Sequence, residues 1–191
     1  MCNRYRMTAK QAELARAHGI EPPYPEDVTF PPPELFPKRM AYVVREENGA
    51  RLLDTMTWGF PPPAAARAPM TNVRNYGSPF WRGALAKPDR RCLVPVTEFC
   101  EWEGEKGQKV ARWFRIPSRP LFSFAGVWRP TEGGATYAFL TCDPNPLVGA
   151  VHPKAMPVIL HEEDYDRWLQ APIADAIELA APYPSQLMTM I

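Results

Sequence analysis

Three residues far apart in the chain have side chains suited to nucleophilic and proton-transfer chemistry. The sequence begins MCNRY, so removal of Met1 would make Cys2 the amino terminus, with an amine and a thiol on one residue. Glu101 lies in the aromatic-rich segment CLVPVTEFCEW, where partial burial would raise its pKa toward general acid–base use. His152 lies between two strand-like segments and can exchange a proton near neutral pH. From spacing alone, a solvent-facing glutamate and a structural histidine remain open alternatives.

A second group of residues could hold nucleic acid. If TNVR is extended, Asn72 and Arg74 project to one face and place an amide beside a guanidinium, which suits a sugar–phosphate backbone. Trp58, in WGFPPP, could stack on a base, although packing in the core is the better explanation for it. Phe80 and Trp81 are further candidates for stacking.

Composition predicts one domain, residues 1–191, with a sizeable core. The 191 residues are 46% hydrophobic, and the 24 prolines are scattered without a period, as expected of stiff loops. The sequence has no apolar run long enough for a membrane helix and no signal-like start, which predicts a cytoplasmic protein. The four cysteines form no C-x-x-C pair and the histidines no zinc-finger spacing, so no metal or disulfide framework is expected.

Charge is distributed unevenly, although the net charge is only +1. Lys and Arg predominate between Arg67 and Arg129, whereas Asp and Glu predominate after Leu160. Arginine makes up most of the basic residues and suits forked contacts to phosphate. This pattern indicates a local surface for an anionic partner, with an arginine-rich surface of no function as the alternative.

The elements that must position these residues are mostly short strands. The Glu47-Asn48-Gly49 turn predicts a hairpin, and Thr8-Ala-Lys-Gln11 predicts a capping box that opens a helix. The predicted strands are Arg39–Glu47, Arg51–Trp58, Cys92–Trp102, Val110–Ile116, Leu121–Trp128, Thr136–Thr141 and Pro157–Leu160. The predicted helices are Thr8–His18, Phe80–Ala86 and Glu162–Leu169, and the predicted loops are Pro22–Pro37, Pro61–Pro69 and a turn at 104–107. The class is therefore α+β, with mainly antiparallel strands curled into a barrel or sandwich.

The motifs together resemble one family, the SOS-response-associated peptidase (SRAP) or abasic-site processing proteins. The chain carries MCNRY, WGF, TNVRNY, RRCLVPVTEFCEW, FSFAGVW and HPKAMPVIL in the family's order, from residue 2 to about residue 170. It departs from the family at Asn3 (usually glycine), Asn75 (usually glutamate), Cys100 (usually aromatic) and Lys154-Ala155 (one residue longer, without the usual arginine).

The resemblance implies a curved β fold and a set of functional residues. Cys2, as the mature amino terminus, would crosslink to abasic sites in single-stranded DNA. The implied catalytic residues are Cys2, Asn72, Glu101 and His152. The residues expected to contact DNA are Arg4, Trp58, Arg74, Trp81, Arg82 and Lys154. The resemblance implies no cofactor or metal, and a monomer that acts in the cytoplasm at the nucleoid.

The crosslinking chemistry explains why a cysteine is needed at position 2. A ring-opened abasic site is an aldehyde, and an α-amino group, with a pKa of about 7.7–8.0 against about 10.4 for lysine, is much more often unprotonated at pH 7. The amine would form an imine and the Cys2 thiol would then add to the same carbon, closing a thiazolidine ring. A serine hydroxyl would be a poorer nucleophile.

Two other functions remain open from the sequence. Cys2, Glu101 and His152 could act as a cysteine peptidase that removes Met1 from its own chain. Alternatively, the protein could be a non-covalent module that stacks single-stranded DNA on aromatic side chains.

Overall fold

The structure is a computed structural model that describes residues 2–21, 31–64, 67–105 and 107–191. In these ranges the strands are β1 (Tyr5–Arg6), β2 (Glu34–Leu35), β3 (Met40–Glu47), β4 (Ala50–Trp58), β5 (Asn72–Val73), β6 (Arg91–Val96), β7 (Glu98–Glu103), β8 (Val110–Arg115), β9 (Phe122–Thr131), β10 (Gly134–Cys142), β11 (Met156–Pro157), β12 (Ile159–Leu160) and β13 (Thr189–Met190). The α-helices are α1 (Gln11–Ala17), α2 (Pro79–Leu85), α3 (Pro146–Gly149), α4 (Tyr165–Gln170) and α5 (Ile173–Ala176).

Five strands close into a barrel in the order β10-β4-β3-β6-β9, and β9 pairs again with β10. The contacts are antiparallel except between β4 and β10, which run parallel with Trp58 opposite Tyr137. Closure leaves the ring without free edges. The predicted α+β class, with mainly antiparallel strands forming a barrel and a few flanking helices, is confirmed.

Three short strands attach to β9 and β10. β5 pairs parallel with β10, so that Asn72 lies opposite Phe139. β11 pairs with β10 and β12 with β9, whereas the sequence predicts one strand over Pro157–Leu160. The segment divides because Pro157 pairs with β10, whereas Ile159 and Leu160 pair with β9.

A second antiparallel sheet, in the order β13-β8-β7-β1-β2, packs against the barrel. Its aromatic side chains meet those of the barrel in the core: the Tyr5 ring lies 5.2 Å from the Trp58 ring, and the Phe99 ring lies 5.9 Å from that of Phe124. The Tyr5 and Tyr137 hydroxyls lie 2.5 Å apart, a polar link between the two sheets inside an apolar core.

The prediction of one strand over Cys92–Trp102 is wrong. The chain breaks at Thr97, so that β6 belongs to the barrel and β7 to the second sheet. The break is stabilised by the Thr97 N–H and hydroxyl, which both donate to the Arg6 carbonyl, at 2.8 and 3.1 Å. This crossing carries Glu101 away from the barrel wall and onto the sheet that holds the amino terminus.

The predicted start of the first helix is also wrong. α1 begins at Gln11, and its N-cap is Lys10, whose N–H donates to the Glu13 carboxylate at 2.9 Å. Thr8 lies outside the helix, with its hydroxyl 3.3 Å from that of Thr97. Thr8 is held by the strand crossing, so the cap forms two residues later, between Lys10 and Glu13.

The β3–β4 hairpin is confirmed. Asn48 and Gly49 have φ angles of 52° and 77°, which the Asn-Gly pair adopts at low cost in a tight hairpin turn. Parts of the predicted loops and of the 104–107 turn lie outside the described residues, namely positions 22–30, 65, 66 and 106. Over the ranges described, no helix is both long and apolar enough to cross a membrane.

Candidate active site

Cys2 lies buried between the start of β1 and the middle of β7. Only 1% of the residue is exposed, and its thiol lies 3.5 Å from the carbonyl oxygen of Arg4 and 3.7 Å from that of Cys100. Burial raises the pKa of the thiol well above its ordinary value, and the charge of Glu101 raises it further. The thiol is therefore neutral at pH 7 and carries a proton that must leave when sulfur attacks.

Asn72 holds the backbone of Cys2. β5 brings the side chain to the site, and its Nδ2 donates to the Cys2 carbonyl at 3.0 Å and to the Thr71 hydroxyl at 2.8 Å. Because both N–H groups of the Asn72 amide donate hydrogen bonds in these contacts, the orientation of the amide is fixed. The remaining Oδ1 is buried and has no donor among the described residues.

Glu101 reaches the site from β7, directly after the Cys100 carbonyl that the Cys2 thiol contacts. The residue is 1% exposed. Burial raises its pKa to about 7, although nearby positive charge, including that of Lys109, opposes this rise. A carboxyl group with this pKa can both accept and donate a proton at neutral pH.

Two buried acceptors at this site lack donors. Within the described ranges, neither Asn72 Oδ1 nor Glu101 Oε1 has a hydrogen-bond partner, whereas buried polar atoms in folded proteins nearly always have one. Both residues flank Cys2. The arrangement fits a ligand that brings hydroxyl or N–H groups to the Cys2 backbone and thiol.

His152 follows α3, in the loop that leads to β11. Its Nδ1 lies 3.0 Å from the Ala155 carbonyl, a contact that assigns the proton to Nδ1 and makes Nε2 the basic nitrogen. Burial lowers the pKa of the ring, so the neutral form predominates at pH 7. The positive charge of Lys109 also lowers the pKa of His152, as it does that of Glu101.

The arginines expected to bind DNA differ in their surroundings. Arg74 is 43% exposed, forms an ion pair with Asp143 and donates to the Thr141 carbonyl at 3.5 Å. Arg4 is paired with Glu34, and its guanidinium lies 5.0 Å from the ring centre of Trp113. Arg82 and Lys154 are exposed to solvent.

The expected stacking of DNA on Trp58 and Trp81 is wrong. Trp58 is 0% exposed and Trp81 is 3% exposed, because both side chains pack in the core. Core packing was the alternative explanation for Trp58. The Trp58 indole N–H donates to the Thr71 carbonyl at 3.1 Å, which supports the segment leading to Asn72. A large aromatic side chain beside glycine and prolines does not reveal which way it points.

A contact between Trp102 and Asn3, which the sequence does not predict, fixes an aromatic ring at the site. The indole N–H of Trp102 donates to the Asn3 side-chain oxygen at 3.0 Å, and the Trp102 ring is half-buried next to Glu101. Asn3 stands where the family usually has glycine. The E-W pair and this departure were the available signals, but neither predicts that the two side chains meet.

Comparisons with known sequences give relatives with an abasic-site function in their names. The abasic site processing protein YoaM of Bacillus subtilis is 25% identical over 182 residues, which are 88% of this chain and 79% of that protein. The abasic site processing protein HMCES of Gallus gallus is 25% identical over 212 residues, which are 91% of this chain and 62% of that protein. This chain therefore spans less than two thirds of the vertebrate relative.

Solved structures show the same fold. A Bordetella bronchiseptica protein superposes with a TM-score of 0.81 at 24% identity, covering 99% of this chain and 98% of the other. A Bacteroides thetaiotaomicron protein gives 0.81 at 23% identity, covering 99% and 90%. The family model described as SOS response associated peptidase matches residues 1–191. The chain therefore belongs to the SRAP family, and the relatives described above are named as abasic site processing proteins.

Proposed function

We propose that the protein, after removal of Met1, forms a covalent thiazolidine crosslink between Cys2 and a ring-opened abasic site in single-stranded DNA. The observation that carries the proposal is the pair of buried acceptors, Asn72 Oδ1 and Glu101 Oε1, that flank Cys2 without donors among the described residues. A deoxyribose opened to its aldehyde brings its C4′ hydroxyl for one of these acceptors and an electrophilic carbon for the cysteine. Addition of the amine to that carbon creates a carbinolamine hydroxyl for the other acceptor.

The reaction balances without an outside reagent. The Cys2 amine adds to the aldehyde carbon, and loss of one water leaves an imine. The thiol then adds across the C=N bond, so that sulfur bonds to carbon and nitrogen gains a proton. The adduct mass equals protein plus DNA less one water.

Glu101 moves the protons in this sequence. Since its pKa is about 7, the carboxyl group can donate a proton to the departing hydroxyl and then accept the proton of the Cys2 thiol. The thiol needs such a base because burial raises its own pKa. Asn72 positions the reacting residue by holding the Cys2 carbonyl.

Arg74 and His152 act on the DNA side of the site. Arg74, on the surface beside β5, holds a phosphate near the lesion once DNA displaces Asp143. His152, neutral and with Nε2 as its basic nitrogen, assists proton transfer at the sugar oxygen, in the forward reaction and in its reversal. Arg4, Arg82 and Lys154 contribute to binding of the strand.

A denaturing gel tests the proposal. A uracil-containing single-stranded oligonucleotide is treated with uracil glycosylase and incubated with wild type, Cys2→Ala or Cys100→Ala. We expect an adduct with wild type and with Cys100→Ala, the matched buried cysteine, and none with Cys2→Ala, which still binds the DNA in a native gel. An undiminished adduct with Cys2→Ala would falsify the assignment.

Self-removal of Met1 is a second candidate activity, favoured by a proton-exchanging carboxyl group beside the Cys2 thiol. Intact-mass measurement of wild type and Glu101→Ala tests it. Retention of Met1 in Glu101→Ala alone supports self-cleavage. Loss of Met1 from both, in a host with ordinary aminopeptidase, makes self-cleavage unnecessary.

A further inference from the structure

A crevice outside the candidate active site combines aromatic walls with a basic rim. It lies between α2 and the end of β9 and has a volume of about 310 Å³. Phe60, Phe80 and Trp128 form its walls, and Lys87, Arg90 and Arg129 form its rim. No carboxylate lines it among the described residues.

The cations of this crevice are only weakly neutralised. Arg90 lies 3.8 Å from Asp89, its sequence neighbour, and no ion pair within the described ranges involves Lys87 or Arg129. By contrast, Arg4 is paired closely with Glu34, and Arg74 with Asp143. Positive charge without nearby carboxylates is available to an anionic ligand.

The two guanidinium groups are held against aromatic rings. Arg129 lies 4.5 Å from the ring centre of Phe60 and 5.1 Å from that of Phe80, and Arg90 lies 4.6 Å from that of Trp128. Because these contacts already restrict the arginine side chains, the side chains lose less conformational entropy when they bind phosphate. Phe80 and Trp128 remain partly exposed and can contact a planar base.

The crevice is connected to the candidate active site by one short segment. Phe60 pairs with Met70 in an isolated bridge, and Asn72 is two residues further along the chain. α2 begins at Pro79, five residues after Arg74. A strand held at Asn72 and Arg74 can therefore continue over this segment toward α2.

We propose that the crevice binds the single-stranded DNA on one side of the lesion, with bases against Phe80 and Trp128 and phosphates at Lys87, Arg90 and Arg129. The inference rests on the proposed function for the identity of the ligand. Basic grooves lined with aromatic rings are the usual means of holding single strands without reading sequence. The crevice would therefore lengthen the stretch of DNA that the protein contacts. It would also fix the 5′-to-3′ orientation of the bound strand.

Binding to oligonucleotides with different flanks tests the proposal. Affinities are measured by fluorescence anisotropy in a Cys2→Ala background, with abasic oligonucleotides that carry a long flank on both sides, on the 5′ side, on the 3′ side, or on neither. The variants are Lys87→Gln/Arg90→Gln, Phe80→Leu, and the control Lys10→Gln/Arg16→Gln, which removes the same charge from exposed positions on or beside α1. Melting temperatures confirm that all are folded.

We expect the crevice variants to lose about five- to tenfold in affinity for the two-sided oligonucleotide and for only one of the one-sided ones. The salt dependence of the double variant should weaken by about 1.4 in log–log slope, since each lost phosphate contact on a single strand contributes about 0.7. The control should stay within about twofold of the parent. Affinities equal to the control, or equal losses with the flankless oligonucleotide, would overturn the crevice site.

Two further outcomes distinguish failure of the proposed function from failure of the crevice as a DNA site. If protein with Cys2 intact forms no adduct but the flank-dependent loss is present, the proposed function fails and the crevice stands as a single-strand site. If polyglutamate displaces the DNA at equal charge and Phe80→Leu has no effect, the crevice binds an acidic protein and the DNA proposal is wrong.

Discussion

Burial raises the pKa of Glu101, which suits the carboxyl group to proton transfer and also lowers the free energy of unfolding at neutral pH. The carboxyl group has a pKa of about 7 in the folded protein, against an ordinary value of 4.5. Between these two values, the folded protein keeps a proton that the unfolded chain has released. The contribution of Glu101 to stability therefore falls as pH rises from 4.5 to 7, and it does not recover above pH 7.

Glu101→Gln should remove this pH dependence. A shift of about 2.5 pKa units corresponds to on the order of 3 kcal/mol at 1.36 kcal/mol per unit. Relative to wild type, the variant should gain up to that amount between pH 4.5 and pH 8, while adduct formation falls by about 10²- to 10⁴-fold. Urea unfolding at several pH values checks the first effect and adduct kinetics the second. Parallel stability curves for the two proteins would contradict a raised pKa.

Asp143→Asn should strengthen DNA binding. Arg74 is paired with Asp143 on the surface, and a phosphate must displace this carboxylate. Because an exposed ion pair contributes about 0–1 kcal/mol, we expect a gain of up to about fivefold in affinity at low salt. Titration of single-stranded DNA at two salt concentrations measures it, with Asp175→Asn as an exposed control. Weaker binding by Asp143→Asn would show that the carboxylate supports the site.

The sequence indicates which residues have reactive side chains, but not what surrounds them. Cys2, Asn72 and Glu101 meet in the structure as their motifs indicate. The burial of Trp58 and Trp81 and the Asn3–Trp102 contact were not predictable, because each depends on segments distant in the sequence. The roles assigned to these residues stay predictions until tested.

At the scale of elements, the close approach of β6 and β9 depends on one glycine. A Cβ on Gly126 would lie 2.8 Å from the Cys92 sulfur and 2.8 Å from a methyl carbon of Val94. Gly126→Ala should destabilise the fold by about 1–3 kcal/mol, the usual cost of overpacking. Gly133→Ala, where a Cβ meets nothing within 4 Å, should change stability by less than about 0.5 kcal/mol. Chemical denaturation compares the two, and similar losses would contradict this explanation.

Elements with a local signal were predictable, and those formed by distant pairing were not. The β3–β4 hairpin follows from its Asn-Gly turn, whereas β5 and β13 are two residues each and exist only because β10 and β8 pair with them. The break at Thr97 has no local signal, since neither a glycine nor an Asn-Gly turn marks it in CLVPVTEFCEW. Its cause is the Arg6 carbonyl on another strand.

For the molecule as a whole, the contact between the barrel and the second sheet decides whether Cys2 reaches the site. A barrel was predicted among alternatives, but its closure by parallel β4 and β10 was not, because that contact joins segments about 80 residues apart. The Tyr5–Tyr137 hydrogen bond ties the sheet that carries Cys2 to this closing strand.

A double-mutant cycle on these tyrosines tests the link. Tyr5→Phe or Tyr137→Phe leaves the other hydroxyl buried without its partner, at a cost of about 1–3 kcal/mol. The double variant removes both hydroxyls and should be no less stable than either single one. Guanidinium unfolding gives the free energies. Additive losses would show that the two hydroxyls do not depend on each other.

The burial of Cys2 also affects how readily its thiol is oxidised. Peroxide attacks thiolates that it can reach. The sulfur of Cys2 is neither ionised at pH 7 nor open to solvent, with 1% of the residue exposed. Oxidants should therefore leave the Cys2 sulfur unmodified while the residue stays buried.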